Sequence, residues 1–180
     1  MAGGPVPFRL QARSARSGRG IGPVVESEAV ELAGSMRDPE PIRAAVDFAL
    51  LADAVQAVQG KLFILGGGWD TLYVSSFPAR HPSLAIGLRV KVPWSVTGSS
   101  LRIAVELQDA VGARLLPGGQ VVHVVNISRR SGKIDRADIG LVRSFTFNNL
   151  QFESQGDYSF VISIDDEIAA RLRFSVRTRR

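Results

Sequence analysis

Three consecutive glycines at the end of an apolar run are the first candidates for a binding site. Gly66, Gly67 and Gly68 follow "LFIL" and precede Trp69 and Asp70. Glycine clusters after a strand can cradle a phosphate, but such a site also needs a Lys-Ser/Thr pair and a following helix. The next residues, "WDTLYVSSFPARHP", are rich in β-branched, aromatic and proline residues and predict no helix. The sequence therefore favours a glycine bend or bulge over a phosphate or dinucleotide site.

Few other residues form a catalytic or metal-binding set. The chain has no cysteine and only two histidines, His81 and His123, which lie far apart in sequence. We expect His123 to be a structural histidine inside a strand. A rival hypothesis is an enzyme. Its site would require at least three of the following four residues to converge: Asp47, Asp53, Asp70 and His81. We predict no catalytic residue, no metal site and no cofactor.

Two groups of side chains could contact a ligand or a partner. Trp69 and Trp94 each follow an apolar strand at a turn, where core packing is favoured over a platform for a sugar ring. Arginines occupy alternate positions of "ARLRFSVRTRR", so a strand there would place guanidinium groups on one face at steps of roughly 6.6–7 Å. A solvated terminal strand is favoured over contact with phosphates or an acidic partner. The candidate ligand or partner surface comprises Trp69, Asp70, Trp94, Arg171, Arg173 and Arg177.

The net charge of +5 is concentrated at the C-terminus. Residues 44–172 contain 12 basic and 12 acidic side chains, and residues 173–180 contain four arginines and no acid. Because the body of the chain is neutral, nucleic-acid binding is not expected. No apolar run approaches the roughly 20 residues that span a bilayer. No apolar core follows the N-terminal arginines, so we expect no secretory signal, no membrane insertion and a cytoplasmic location.

Period-two alternation predicts the elements that must position these residues. Apolar side chains alternate with polar or small ones in "LAIGLRVKV" and "LRIAVELQ", as in antiparallel strands with one solvated face. Further strands are predicted in "KLFILG", "QVVHVVNIS", "LVRSFTFNN", "YSFVISI" and "AARLRFSV". The segment "AAVDFALLADAV" fits a strand or a short helix. The acidic turn at residues 165–167 is typical of a solvated hairpin rather than of a calcium site.

About eight short strands separated by turn signals predict an all-β antiparallel β-sandwich. The immunoglobulin-like variant is favoured by "QGDYSFVIS", in which Tyr158 opens a late strand as the tyrosine of a tyrosine corner does. Residues 1–42 are rich in Gly, Pro, Arg and Ser and predict a disordered or weakly ordered leader. The sandwich domain is expected over residues 43–176, followed by a basic tail at 177–180. Translation could begin at Met36, just before the first well-patterned segment.

The segment "DFALLAD", followed by "GKLFILGGGWD" and later by "FNNLQFESQGDYSFVISIDDEIAARLRFSV", resembles a family of small bacterial proteins of unknown function. This family is often seen in actinobacteria. The resemblance covers most of residues 44–176 and implies no catalytic or binding residue. Family members typically begin close to the position of Asp47, which supports the interpretation of residues 1–35 as an extension or as the result of a misassigned start.

The leading hypothesis is a non-catalytic β-sandwich module that acts as a structural or protein-interaction component. It implies a protein partner, and the sequence does not determine the oligomeric state. The first alternative is a small-ligand or carbohydrate-binding module that uses Trp69 and Trp94. The second is the enzyme described above.

Overall fold

A computed structural model describes residues 43–128 and 137–179. Its strands are β1 (Ala45–Val58), β2 (Lys61–Gly67), β3 (Thr71–Val74), β4 (Ala79–Val92), β5 (Ser100–Gln108), β6 (Val121–Asn126), β7 (Ile139–Phe152), β8 (Gly156–Ile164) and β9 (Glu167–Thr178). A 3₁₀ turn at Trp94–Val96 follows β4. The segment that fitted either a strand or a helix is strand β1. The expected N-terminal leader lies outside the described residues.

The strands form two sheets that pack as a sandwich. One sheet has the order β2-β1-β4-β7 and the other the order β3-β9-β8-β5-β6. Every pairing is antiparallel except that of β3 with β9. The orders β1-β4-β7 and β9-β8-β5-β6 correspond to A-B-E and G-F-C-C′ of the immunoglobulin sandwich. The prediction of an all-β sandwich is confirmed, and its strand order is immunoglobulin-like.

The core lies between the sheets and follows the predicted alternation. The inward side chains of β4 and β5 are buried, whereas Arg89, Lys91 and Arg102 point away from the core. Phenylalanines from β7, β8 and β9 meet at the centre, where Phe147 and Phe160 have ring centroids 4.9 Å apart. The fully buried inward residues of β4 and β5 are Leu84, Ile86, Leu88, Val90, Val92, Ile103, Val105 and Leu107.

A tyrosine corner lies at the start of β8. The hydroxyl of Tyr158 donates a hydrogen bond of 2.7 Å to the backbone carbonyl of Ser154, four residues upstream. The Tyr158 ring is buried and packs edge-on against Phe152, with centroids 4.9 Å apart. This arrangement confirms the expectation drawn from "QGDYSFVIS" and fixes the connection from β7 to β8.

The hairpin of β1 and β2 bends back over the outer face of β4. Leu50 of β1 pairs with Gly87 of β4, yet a methyl group on Gly87 would also lie 3.4 Å from Val55. A straight strand would place Val55 about 16 Å farther along β1. Because β1 pairs with β4 only as far as Ala52 and then continues to Val58, its distal part is free to turn back.

The bend changes the environment of the outer face of β4. Ala85 is fully buried on this face and packs with Ala52 and Val55, and Leu62 of β2 packs against the same cluster. Gly87 is buried as well. The expectation that this face of β4 is solvated is therefore wrong at Ala85 and Gly87. The hairpin, which has apolar side chains on both faces, covers them.

Candidate functional site

The three glycines form the bend at which the chain leaves β2. The Gly68 N–H donates a 2.9 Å hydrogen bond to the carbonyl of Leu51, and the φ of Gly68 is 91°. A methyl group on Gly67 would lie 2.8 Å from Ile64 and 3.3 Å from Leu50. The chain continues from Gly68 into strand β3 rather than into a helix. The glycines therefore serve a tight backbone bend next to β1, as the bulge interpretation predicts.

The two tryptophans lie at opposite ends of the sandwich. Trp69 packs edge-on against Phe174, which packs against Phe152, the partner of Ala79 at the start of β4. Trp94 follows the other end of β4, a strand of 14 residues. A strand of that length spans about 40 Å. One sugar ring therefore cannot stack on both indoles.

Trp69 contributes to the core rather than to an open surface. Its ring centroid lies 6.0 Å from that of Phe174, and the ring packs against the main core cluster. Its indole nitrogen is buried and has no hydrogen-bond partner among the described residues. The neighbouring Asp70 is exposed, accepts a hydrogen bond of 3.0 Å from the Thr71 hydroxyl, and receives the Ser175 N–H on its backbone carbonyl. Asp70 thus joins the start of β3 to β9.

The four residues of the enzyme hypothesis do not all lie together, although Asp53 is close enough to His81 for its charge to act on that ring. Asp47 pairs with Arg89 of β4, eight residues along that strand from His81 and so about 26 Å away. Asp53 lies against Gly66, where a methyl group would clash with its carboxylate. Burial lowers the pKa of His81, and a backbone hydrogen bond at Ser83 and the charge of Asp53 partly oppose this shift. Within residues 43–128 and 137–179, no carboxylate lies in the wall of the cavity that His81 lines.

His123 faces the interior of the sandwich. Its ring stacks on Phe145 of the opposite sheet, with centroids 4.3 Å apart and planes 19° apart. Burial lowers the pKa of His123, and the positive charge of Arg143 lowers it further. These contacts support the structural role expected for this histidine.

The acidic turn between β8 and β9 is held by arginines. Asp165 accepts the backbone N–H of Arg102 at 2.9 Å, and Asp166 forms an ion pair with the Arg102 side chain. Glu167 forms an ion pair with Arg43. These contacts are those of a solvated hairpin. Within residues 43–128 and 137–179, no group of three or more His, Asp or Glu side chains could hold a metal ion.

The predicted arginines line the outer face of β9. Arg177 donates a hydrogen bond of 2.7 Å to Asp157, and Arg171 donates one of 3.3 Å to Gln108. Arg173 has no ion-pair partner in the part of the chain that the structure describes. Arg171 and Arg173 border a cavity of about 580 Å³ whose wall also contains two carboxylates, those of Asp109 and Asp157. A role for these arginines in contacting a partner stays a prediction.

The β1–β2 hairpin has an exposed apolar surface that was not predicted from the sequence. We define the hairpin face as the side of the hairpin turned away from β4. Phe63 and Leu65 of this face are 58% and 71% exposed. Register pairs Leu65 with Ala54 and Phe63 with Gln56, so these four side chains share the face, together with the exposed Val58. The run "LFIL" predicts a strand, and nothing local to it distinguishes the covered side from the open one.

Comparisons with known proteins identify a family without a described activity. A search of curated proteins found no match. A solved structure described as a "putative beta-galactosidase from bacteroides fragilis" aligns with 57% of this chain and 15% of its own, at 10% identity and a TM-score of 0.29. No helix in the described residues is long and apolar enough to cross a membrane. The family model that matches spans residues 47–177. With most of the sandwich covered by that match, the chain belongs to the family of unknown function DUF6941.

Proposed function

We propose that this chain is a non-catalytic protein-interaction module and that a second copy of the chain occupies its hairpin face. One observation carries the proposal: Phe63 and Leu65 are 58% and 71% exposed on a strand whose outer edge has no partner among the described residues. Exposed apolar side chains that adjoin one another mark interaction surfaces more often than isolated ones do.

The composition of the hairpin face favours a protein partner. Its apolar members are Ala54, Val58, Phe63 and Leu65, and its polar members are Gln56 and Lys61. A shallow groove of about 280 Å³ runs between the side chains of the two strands. The face has no acidic side chain. Burial of an exposed phenylalanine and leucine stabilises an interface by roughly 1.5–3 kcal/mol per side chain.

The free edge of β2 supplies the second part of the argument. An edge strand presents unpaired backbone N–H and C=O groups, which natural sheets commonly protect with charges, prolines or bulges. Strand β2 has a single charged residue, Lys61 at its first position, and no proline. An added antiparallel strand would satisfy these backbone groups.

A second copy fits this edge by two-fold symmetry. If two β2 strands pair antiparallel about Ile64, Phe63 of each copy lies opposite Leu65 of the other, on the same face. The Phe63 side chain of each copy then covers the Leu65 side chain of the other, so the contact occurs twice in the dimer. The two four-stranded sheets become one continuous sheet of eight strands.

The charges at the ends of β2 are compatible with this register. Lys61 would lie opposite Gly67 of the other copy, and Asp53 lies against the adjacent Gly66. Each Lys61 therefore lies opposite an uncharged residue of the partner strand. No like charges face each other along β2.

The molar mass of the full chain in solution, measured by light scattering across a concentration series, tests the proposal. We expect a reversible dimer that Phe63→Lys converts to a monomer. Val124→Lys is the matched control, since Val124 is 66% exposed on edge strand β6 of the other sheet and its replacement should leave the dimer intact. A wild-type chain that stays monomeric at every concentration would overturn the proposal. Dissociation by Val124→Lys and not by Phe63→Lys would overturn it as well.

A cytoplasmic location and a bacterial distribution belong to the same proposal. The absence of cysteine suits a reducing compartment. Fractionation of cells that express the full chain tests the location, and recovery in a membrane or extracellular fraction would contradict it.

A further inference from the structure

A basic cavity lies between the end of β3 and the start of β4, and none of the side chains of the hairpin face lines it. Its volume is about 510 Å³, which is within the range of small-molecule sites. The connection between β3 and β4 forms one wall, and Arg179, which follows β9, lies in another. The polar side chains that line it are those of Tyr73, Ser75, Ser76, Arg80, His81 and Arg179.

The cavity carries two guanidinium groups without an ion-pair partner among the described residues, and the nearest carboxylate effect is that of Asp53 on His81. Arg80 and Arg179 are exposed, and neither has an ion-pair partner within residues 43–128 and 137–179. Among the residues that the structure describes, no carboxylate lines the cavity. The cavity beside Arg171 differs in this respect, because Asp109 and Asp157 lie in its wall. Two unpaired guanidinium groups without an acid favour an anionic ligand.

The hydrogen-bonding groups fit a phosphate better than a carboxylate. Guanidinium groups bind phosphate oxygens in a bidentate manner, and the hydroxyl groups of Ser75 and Ser76 can donate to further oxygens. A phosphate group offers more acceptor oxygens than a carboxylate does. The cavity volume exceeds what a single phosphate fills, and the ring of Tyr73, which is 60% exposed, borders the remaining space.

The backbone holds both arginines in place. The Arg179 N–H donates a hydrogen bond of 2.9 Å to the carbonyl of Val74, which holds the backbone of Arg179 beside β3. Arg80 belongs to β4, where it pairs with Gln151 of β7. The Arg80 side chain therefore extends from strand β4, and the Arg179 side chain extends from a residue whose backbone is hydrogen-bonded to β3.

We propose that this cavity binds a small organic molecule that carries a phosphate group, with Arg80 and Arg179 as its anion-binding residues. The inference is independent of the pairing through β2. The site uses none of the residues of the hairpin face, so each of the two proposals can fail without the other.

Amide chemical shifts of the full ¹⁵N-labelled chain, titrated with three probes, test the inference. Phenyl phosphate should shift residues 73–81 and bind more tightly than inorganic phosphate, because its ring can contact Tyr73. Benzoate should bind more weakly than phenyl phosphate. Absence of shifts in these residues would overturn the inference. Equal affinities of phenyl and inorganic phosphate would overturn the assignment to an organic phosphate, and binding of benzoate as tight as that of phenyl phosphate would overturn the assignment to phosphate.

Arginine variants identify the binding residues. Arg80→Ala and Arg179→Ala should each weaken phenyl phosphate binding about tenfold or more. Both side chains are exposed, so the variants should fold, and unchanged spectra outside the cavity verify this. Arg171→Ala is the matched control, because Arg171 is an exposed arginine of β9 that does not line this cavity, and its replacement should leave the affinity unchanged. A loss of affinity in Arg171→Ala equal to that in Arg80→Ala would show non-specific attraction to positive charge and overturn the site.

Discussion

The hydroxyl of Tyr158 donates a 2.7 Å hydrogen bond to the backbone carbonyl of Ser154. The bond closes the corner between β7 and β8, and the Tyr158 ring fills the space beside Phe152 and Phe174. Removal of the hydroxyl would leave the Ser154 carbonyl without this donor while the ring packing persists. The variant Tyr158→Phe therefore isolates the contribution of the hydrogen bond.

We expect Tyr158→Phe to lower the free energy of unfolding by about 0.5–1.5 kcal/mol. Urea denaturation monitored by circular dichroism measures the change. Tyr73→Phe is the control, since Tyr73 is 60% exposed and its replacement should change stability little. Equal effects of the two variants would contradict a specific role for the corner.

Neighbouring glycines of the "GGG" bend should respond to alanine for different reasons. At Gly67 a methyl group would meet Ile64 and Leu50 at 2.8 and 3.3 Å, so Gly67→Ala should cost about 1–3 kcal/mol through overpacking. At Gly68 no atom lies within 4 Å of the position of a new methyl group, but the φ of 91° is unfavourable for alanine. Gly68→Ala should therefore lower the free energy of unfolding by about 1–2 kcal/mol through backbone strain.

A second substitution distinguishes the two causes at the bend. Ile64→Ala removes the nearest contact of the new methyl group and should recover part of the loss in Gly67→Ala. It should not rescue Gly68→Ala. Thermal denaturation of the single and double variants provides the comparison, and equal rescue of both glycine variants would rule out the separate causes.

Acidification should destabilise the chain through His123. Burial lowers the pKa of this side chain in the folded state, so the unfolded state, with a pKa of about 6.5, binds more protons. The stabilising contribution is therefore complete above about pH 6.5 and is lost as the pH falls below that value.

The variant His123→Phe keeps an aromatic ring opposite Phe145 and removes the titration. Its stability should fall less than that of the wild type between about pH 7.5 and about pH 5.5. Some dependence should remain, because the pKa of His81 is also lowered. Urea denaturation at the two pH values measures the change in the free energy of unfolding. An unchanged pH dependence in the variant would contradict the role of His123.

Much of the sandwich could be predicted from local pattern. The alternation in β4 and β5 places one set of side chains inward, and the tyrosine of "GDYSF" occupies the corner that its position indicated. These features depend on neighbours along the chain or on the period of a strand. The arginines of β9 alternate for the same reason, so their shared outer face could be predicted as well.

Features that depend on long-range contacts could not be predicted. The hairpin bends over β4 because β1 continues beyond the residues that pair with β4. The sequence "DAVQAVQGKLFIL" does not indicate where that pairing ends. The basic cavity joins Arg80 with Arg179, which are nearly a hundred positions apart in sequence. Trp69 and Trp94, which look alike in sequence, are separated by the length of β4.

Cross-linking at position 64 tests the central claim, the pairing of two β2 strands, most directly. The chain has no cysteine, so Ile64→Cys introduces a single thiol at the proposed two-fold axis. Directly opposite residues of antiparallel strands have Cβ atoms about 4.5–5.5 Å apart, close enough for mild oxidation or a short bis-maleimide to join them. We expect a covalent dimer from Ile64→Cys and none from Val124→Cys under the same conditions. A Val124→Cys dimer, or an Ile64→Cys chain that stays monomeric, would contradict the account.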